Sequence, residues 1–365
     1  METSYSEEQE SFRASLRRFL EDKGGTGFTR EQWSQSSPLS GAGWEQLSEL
    51  GVTGLLVPES AGGIGGDMVD MGVVMEELGR QVQPGPAWSS CVGATTAAAD
   101  FAQDKLLAEL AGGARRATLA VAEPGRSFAL WQDPQVRADG DRLHGLKTEV
   151  PDALDADAFF VTTDGGVYLV DAGAAGLRID AEETVDGSRR FAAVSFAGTP
   201  GTRLGDNGEL AHAVDRMLVA LCADGVGAAQ RALELTIEYA AERRQFGQPI
   251  GSFQAVQHLC ADMLQALELG RAGLHYALWA VDAGDAAEAH RSAVMCKAYM
   301  ADTFAQIGAG AIQVFGGAGF TWEYDIQLYY KRLLSLELTW GNAAVWLEEL
   351  ARLVIDGEAP AIIPE

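Results

Sequence analysis

YAAERRQFGQPIGSFQAVQHLCADM, residues 239–263, and QVFGGAGFTWEYDIQLYYKR, residues 313–332, decide how this chain is read. In the first, Arg243 closes a long helical run, and Phe246 and Gly247 follow it as a ring and a turn residue. In the second, a helix carrying Gln313 runs into the Gly316–Gly317 pair, which stops it and leaves backbone that another molecule can approach closely. Taken alone, the Arg also reads as a capping charge beside a core ring, and the glycines as a plain helix stop. Both stretches lie in a region that is helical from about residue 210 onward. HAVDRMLVALCADGVGAAQRALELTIEYAAERRQF, SFQAVQHLCADMLQALELGRAGLHYALWAVDAG and AEAHRSAVMCKAYMADTFAQIGAGAIQVFGG all repeat apolar residues with helical period. Three or four long antiparallel helices with short loops make a bundle, placed at 206–365.

Toward the N-terminus the texture changes. TLAVAEP, AFFVTT and VYLVDA are short β-rich runs separated by turn dipeptides such as Asp139–Gly140 and Asp164–Gly165. They predict a compact β-domain at 116–205, a small barrel or sandwich. Residues 1–115 read as helical again. YSEEQESFRASLRRFLEDK puts Phe12, Leu16, Phe19 and Leu20 on one face, with Ser6 as the start signal. WEQLSELGVTGLLVPESAGGIGG predicts a short helix, a buried turn and a glycine loop, and MVDMGVVMEELGRQV a further helix. One more helix is expected over ATTAAADFAQDKLLAELAGG.

Composition narrows the partners. With 27 Lys and Arg against 52 Asp and Glu, the net charge of −25 repels polyphosphate, so nucleic acid is excluded as a partner. Cys91, Cys222, Cys260 and Cys296 form no CxxC pair and read as small core residues of a reduced compartment. The five histidines, His144, His212, His258, His275 and His290, fall singly, without metal-ligand spacing. The start METSYSEEQE is acidic, and no apolar run approaches the ~20 residues of a spanning helix. A soluble cytoplasmic protein without a membrane partner is expected.

The two quoted stretches, with VPESAGGIGG and EELGR (76–80), closely resemble signatures of the flavin-dependent acyl-CoA dehydrogenase family, over essentially the whole chain. The resemblance implies a mainly α fold with a central β-domain: an N-terminal helical domain, a β-barrel and a C-terminal four-helix bundle. It implies FAD as cofactor and an acyl-CoA as substrate. Arg243, Gln245 and Phe246 would meet the pyrophosphate and adenine, and Gln313, Gly316 and Gly317 the other end of the dinucleotide. In the family these residues hold the adenine half of a flavin seated on the neighbouring subunit, so an oligomer is implied.

The departures from the family pattern are chemical. Its flavin ring is held by a Thr-Glu-Pro-Gly loop with a following Ser and by a Trp-Ile-Thr strand. Here the loop reads VAEPGRSF, with Ala122 at the Thr and Phe128 at the Ser, and the strand reads KTEVPD, with Glu149 at the Trp and Pro151 at the Thr. A carboxylate against the ring and a proline without a donor imply a lost ring site. The family's catalytic Glu, which takes the α-proton of the thioester, falls on Trp340, and its alternative base position falls on Met217. Neither accepts a proton. Asp224 shares an apolar helix face with Met217 and is a candidate base or a buried partner of a bundle Arg. Asp215 would need a helix slip to serve, and Glu337 reads as a partner for Arg332 or Lys331. Two functions follow. One is the non-catalytic chain of a hetero-oligomeric acyl-CoA dehydrogenase that completes the FAD site of a related subunit; the other is a homo-oligomeric flavoprotein or pseudoenzyme with altered chemistry.

Overall fold

The computed structural model describes residues 5–23, 25–33, 41–125, 133–283 and 285–355. Its N-terminal part holds α1 (Glu7–Asp22), α2 (Thr26–Trp33), α3 (Gly41–Glu49), α4 (Met68–Arg80), α5 (Thr95–Asp100) and α6 (Asp104–Ala111). α1 begins where a start signal was expected: Ser6 accepts from the Gln9 N–H, and the Gln9 side chain accepts from the Ser6 N–H in return. Leu16 and Leu20 are buried beneath it, and charge fixes its seat on α4, with Arg13 2.8 Å from Glu76 and Arg17 2.6 Å from Glu77.

The single helix expected over 94–113 is instead two short ones. A π-helical segment, Ala87–Ala94, leads into α5, and the chain breaks at Ala102, whose φ is +50°, before α6. The Ala-rich composition favours helix throughout. The break is fixed by a turn in which the Gln103 side chain donates to the Phe101 carbonyl at 2.8 Å.

The β-domain contains β1 (Ala117–Ala120), β2 (Arg137–Asp139), β3 (Arg142–Pro151), β4 (Ala158–Thr163), β5 (Gly166–Asp171), β6 (Leu177–Glu182), β7 (Phe191–Pro200) and β8 (Thr202–Gly205). Of the two shapes the sequence allowed, barrel or sandwich, the described strands form two open four-stranded sheets, ordered β1-β4-β5-β8 and β2-β3-β7-β6. Leu143, Val150, Val194 and Phe196 from one sheet and Phe159, Val161, Tyr168 and Val170 from the other share one core.

The C-terminal part holds α7 (Ala211–Glu242), the short hairpin β9 (Arg244–Gln245) and β10 (Gln248–Pro249), then α8 (Gln254–Ala280), α9 (Ala286–Phe315), α10 (Ile326–Leu338) and α11 (Ala343–Ile355). α7, α8 and α9 are the long helices the periodicity predicts. Their core is continuous with that of the N-terminal helices, running from Leu16 and Met71 through Leu218 and Phe304 to Trp346. No helix among the described residues is long and apolar enough to cross a membrane.

The three parts are pinned together by one buried charge cluster. Arg332 on α10 donates to Asp224 on α7 at 2.9 Å and to Asp186, in the β6–β7 connection, at 2.8 Å. It also reaches Ser188 at 2.7 Å and the Gln83 carbonyl just beyond α4 at 3.2 Å. Arg189 adds a second guanidinium at 2.5 Å from Asp224. The expected pairing of Glu337 with Arg332 or Lys331 is therefore corrected. Arg332 is taken by carboxylates from other elements, Lys331 donates to Gln327 one turn back, and the Glu337 backbone carbonyl accepts from Lys297.

Candidate functional site

α10 ends beneath a buried ammonium. Lys297, on α9 and fully enclosed, donates to the carbonyls of Leu336 at 2.5 Å and Glu337 at 3.0 Å, which the end of a helix leaves without partners. Burial pushes this ammonium down to about 8. The next turn delivers Trp340 at φ +58° and Gly341 at φ +112°. Trp340 is wholly buried. Its ring lies 5.0 Å from that of Trp88, tilted by 48°. Trp88 in turn donates its Nε1–H to the Met217 carbonyl at 2.7 Å. The two positions where the family carries a base are thus joined through one indole. Gly93 sits against the Met217 sulphur so closely that a Cβ there would collide with it.

Among the described residues, neither side chain at the two expected base positions, Trp340 or Met217, accepts a proton. Trp340 offers only an N–H, and that Nε1 is buried without a hydrogen-bond partner. Asp224, the candidate from the same helix face as Met217, is committed to Arg332 and Arg189. Asp215 lies elsewhere on α7 with its carboxylate 2.8 Å from His290. Trp88 and Arg189, which sequence reasoning passed over, complete the junction, the Arg189 guanidinium standing 5.6 Å from the Trp88 ring. The available signal for Trp88 was a single large ring in the small-residue run PGPAWSSCVGA.

The ring side of the β-domain keeps its scaffold and lacks the contacts. Glu123, in the AEP turn, is held by Lys147 of β3 at 2.6 Å and by the backbone N–H groups of Gln135 and Val136. Lys147 is itself buried and bonded to Thr162 at 2.8 Å. Ala122 is buried and carries no hydroxyl. The β3–β7 register shifts between Lys147 and Val150, and in that irregularity Glu149 takes φ +51° and gives its N–H to Glu182 at 2.9 Å. Burial, with the Glu182 charge added, raises the Glu149 carboxyl above its usual range. Pro151 has no N–H, and its carbonyl accepts from Thr118 at 2.7 Å. Phe128 lies outside the described residues. Glu149, Phe191, Leu334, Ser335, Leu338 and Thr339 line a hollow of about 190 Å³ between the β-domain and α10. Glu149 puts a carboxylate, not a stacking ring, at this slot, and Pro151, two residues on, has no N–H to offer an isoalloxazine edge.

The adenine-side residues do fit a dinucleotide, and all face outward. Arg243 caps α7, and Phe246 and Gly247, with φ +53° and +82°, form the turn between β9 and β10. This turn holds the Phe246 ring 93% exposed. Gln245, Gln313, Gly316 and Gly317 are exposed as well. Gly316 takes φ +62° at the end of α9, and a Cβ on either glycine would meet nothing within 4 Å, so the space over this backbone is open. The ends of α7 and α9 that carry these residues are joined by Tyr239 and Phe315, stacked at 4.1 Å. The structure therefore gathers them at one end of the bundle. The indole junction lies elsewhere, beyond the far end of α10.

Comparison with known proteins agrees with this architecture. Residues 6–113 match the family "Acyl-CoA dehydrogenase, N-terminal domain", and residues 211–355 match "Acyl-CoA dehydrogenase, C-terminal domain". The acyl-CoA dehydrogenase IpdE2 of Mycolicibacterium smegmatis is 30% identical over 328 residues, covering 90% of this chain and 92% of the relative. Among solved structures, a variant of the Tcur3481-Tcur3483 steroid ACAD superposes with a TM-score of 0.89 at 30% identity, covering 97% of this chain and 99% of that one. The ChsE4-ChsE5 complex from Mycobacterium tuberculosis gives 0.88 at 25% identity, covering 99% and 100%. The chain belongs to the acyl-CoA dehydrogenase family, whose members are FAD-dependent oxidoreductases acting on CH–CH bonds.

Proposed function

We propose that this chain is the non-catalytic subunit of a hetero-oligomeric acyl-CoA dehydrogenase, completing the FAD site of a related partner chain that carries the base and the flavin-ring site. The observation that carries this reading is the filled base position: Trp340 packed on Trp88, with Trp88 bonded to Met217. The adenine-side residues support it. Arg243, Gln245, Phe246, Gln313, Gly316 and Gly317 stand open to solvent where a second chain can bring its flavin. In a homo-oligomer every subunit supplies both halves of the site; here one half fits and the other does not. Exposed Leu264, Leu269 and Trp279 of α8 and Met295 and Tyr299 of α9 add an apolar outer face suited to a protein partner. Two similar structures are named as two-chain proteins, ChsE4-ChsE5 and Tcur3481-Tcur3483. In this assignment 1–115, 116–205 and 206–365 are the helical, β and bundle domains.

In the assembled enzyme FAD would accept hydride from the acyl chain. This chain's part is to hold the adenine half by the Arg243 charge, the Phe246 ring and the open glycine backbone, and to exclude acyl-CoA from its own junction. The test is expression alone and together with a dehydrogenase homologue encoded beside it. The expected result is a chain colourless alone and, with the partner, a yellow mixed assembly that reduces an artificial acceptor when given acyl-CoA. A yellow homo-oligomer with near-stoichiometric flavin would overturn the proposal.

A further inference from the structure

α11 packs on the bundle chiefly against α9. Its buried residues are Trp346, Glu349 and Leu353, a single stripe at helical spacing, and the middle one is a carboxylate. Opposite it, near the start of α9, stands His290. Its Nδ1 lies 2.8 Å from Asp215 on α7, and its Nε2 lies 3.7 Å from Glu349 on α11. Three helices meet at one imidazole. A neutral imidazole has a single N–H, so in either tautomer the lone pair of the other nitrogen faces a carboxylate. A protonated one donates to Asp215 and sets its charge 3.7 Å from Glu349.

From this geometry we infer that His290 is a proton-operated latch for α11. Protonated, it bridges Asp215 and Glu349 and holds the helix on α9; neutral, it releases one side of the bridge. The latch also governs the turn at the indole junction, because the Trp346 Nε1–H donates to the Gly341 carbonyl at 3.1 Å. Solvent reaches it through a cavity of about 450 Å³ bordered by His212, Asp215, Arg216, Asp282, Asp285 and His290.

The other charged groups around His290 are paired. On α7, His212 is paired with Asp100 at 3.0 Å and Arg216 with Asp282 at 2.5 Å. On α9 itself, Asp285 caps the helix and Glu288 is taken by Arg291 and Tyr276. On α11, Arg352 holds Glu349 at 2.5 Å and keeps its carboxyl below the usual range, so Glu349 stays ionised throughout. Burial works against charge on His290, but Asp215 and then Glu349 outweigh it and raise the imidazole above its ordinary value. A raised histidine contributes its full stabilisation below the ordinary value of about 6.5 and loses it as pH climbs through the folded value. α11 is therefore held most firmly on the acid side of neutrality.

Hydrogen–deuterium exchange of the full chain tests this, read on the amides of 343–355 at pH 6 and pH 8 and corrected for the intrinsic pH dependence of exchange. The wild type is expected to lose protection in α11 about threefold to fivefold at the higher pH, the span of a partly exposed ion pair. His290→Gln and Glu349→Gln are both expected to flatten that difference, while His212→Gln, on the same cavity wall, keeps it. Equal protection of the wild type at both pH values overturns the latch. So does a pH dependence that survives both His290→Gln and Glu349→Gln, or one that His212→Gln abolishes.

Discussion

Trp340 holds a bulky side chain at φ +58°, a conformation that costs a non-glycine residue on the order of 1–3 kcal/mol and persists only where packing enforces it. The enforcing contact is Trp88, and the residual cost is visible in the Trp340 N–H left without a partner. Replacing Trp340 by Glu puts a carboxylate at the expected base position, yet under the proposed reading, in which Glu149 and Pro151 do not hold a flavin ring, the chain alone is expected to stay inactive. The variant also opens a void and buries a lone carboxylate, a loss of roughly 3 kcal/mol or more. Acyl-CoA-dependent dye reduction and a urea melt check both statements; substantial turnover without a partner would show an intact ring site. The identity of the residue at the base position was legible by counting along the chain. What fills the space beside it was not, since Trp88 arrives from another domain and no local spacing announces it.

At the scale of elements, α10 is the keystone, and Arg332 is its attachment. The guanidinium is fully buried between two carboxylates from different parts of the chain, Asp186 and Asp224. Truncation by Arg332→Ala takes the guanidinium from Asp186 and leaves Asp224 to Arg189 alone, with an expected destabilisation of about 3–5 kcal/mol, measured by chemical denaturation. Arg332→Lys is expected to recover only part of it, because a point charge cannot reproduce the fork that serves Asp186, Asp224 and Ser188 together. Helical periodicity made α1 and α7 to α9 readable, and α4 with them, although α4 over Met71–Gly79 and α7 over Met217–Ala229 are buried on every side. It failed over 94–113, where alanine satisfies any helical register and the break is set by a side-chain turn at Phe101–Gln103. It also misassigned Glu337, because local spacing cannot see a carboxylate brought in from the β6–β7 connection.

For the whole molecule, the proposed assembly finishes the surface at the ends of α7 and α9 with another chain. Arg243→Ala is expected to lower FAD retention in the mixed assembly, because a charge-assisted contact to pyrophosphate contributes roughly 1.5–3 kcal/mol. Flavin absorbance per mole of complex after dialysis measures it, and an unchanged ratio returns Arg243 to the role of a capping residue. The order of helical, β and helical regions was legible from composition and period alone. The openness of Gly316 and Gly317 and the outward face of Phe246 required coordinates, because a sequence motif does not say which side of it is solvent. The tilted pair of indoles has a historical consequence. A lineage that exchanged its base for Trp340 and packed it on Trp88 cannot return by one codon. Restoring the carboxylate first is penalised by the missing ring site, and shrinking Trp88 first leaves a hole beside Met217. Under the proposed reading, each step back is disfavoured unless the others have already occurred.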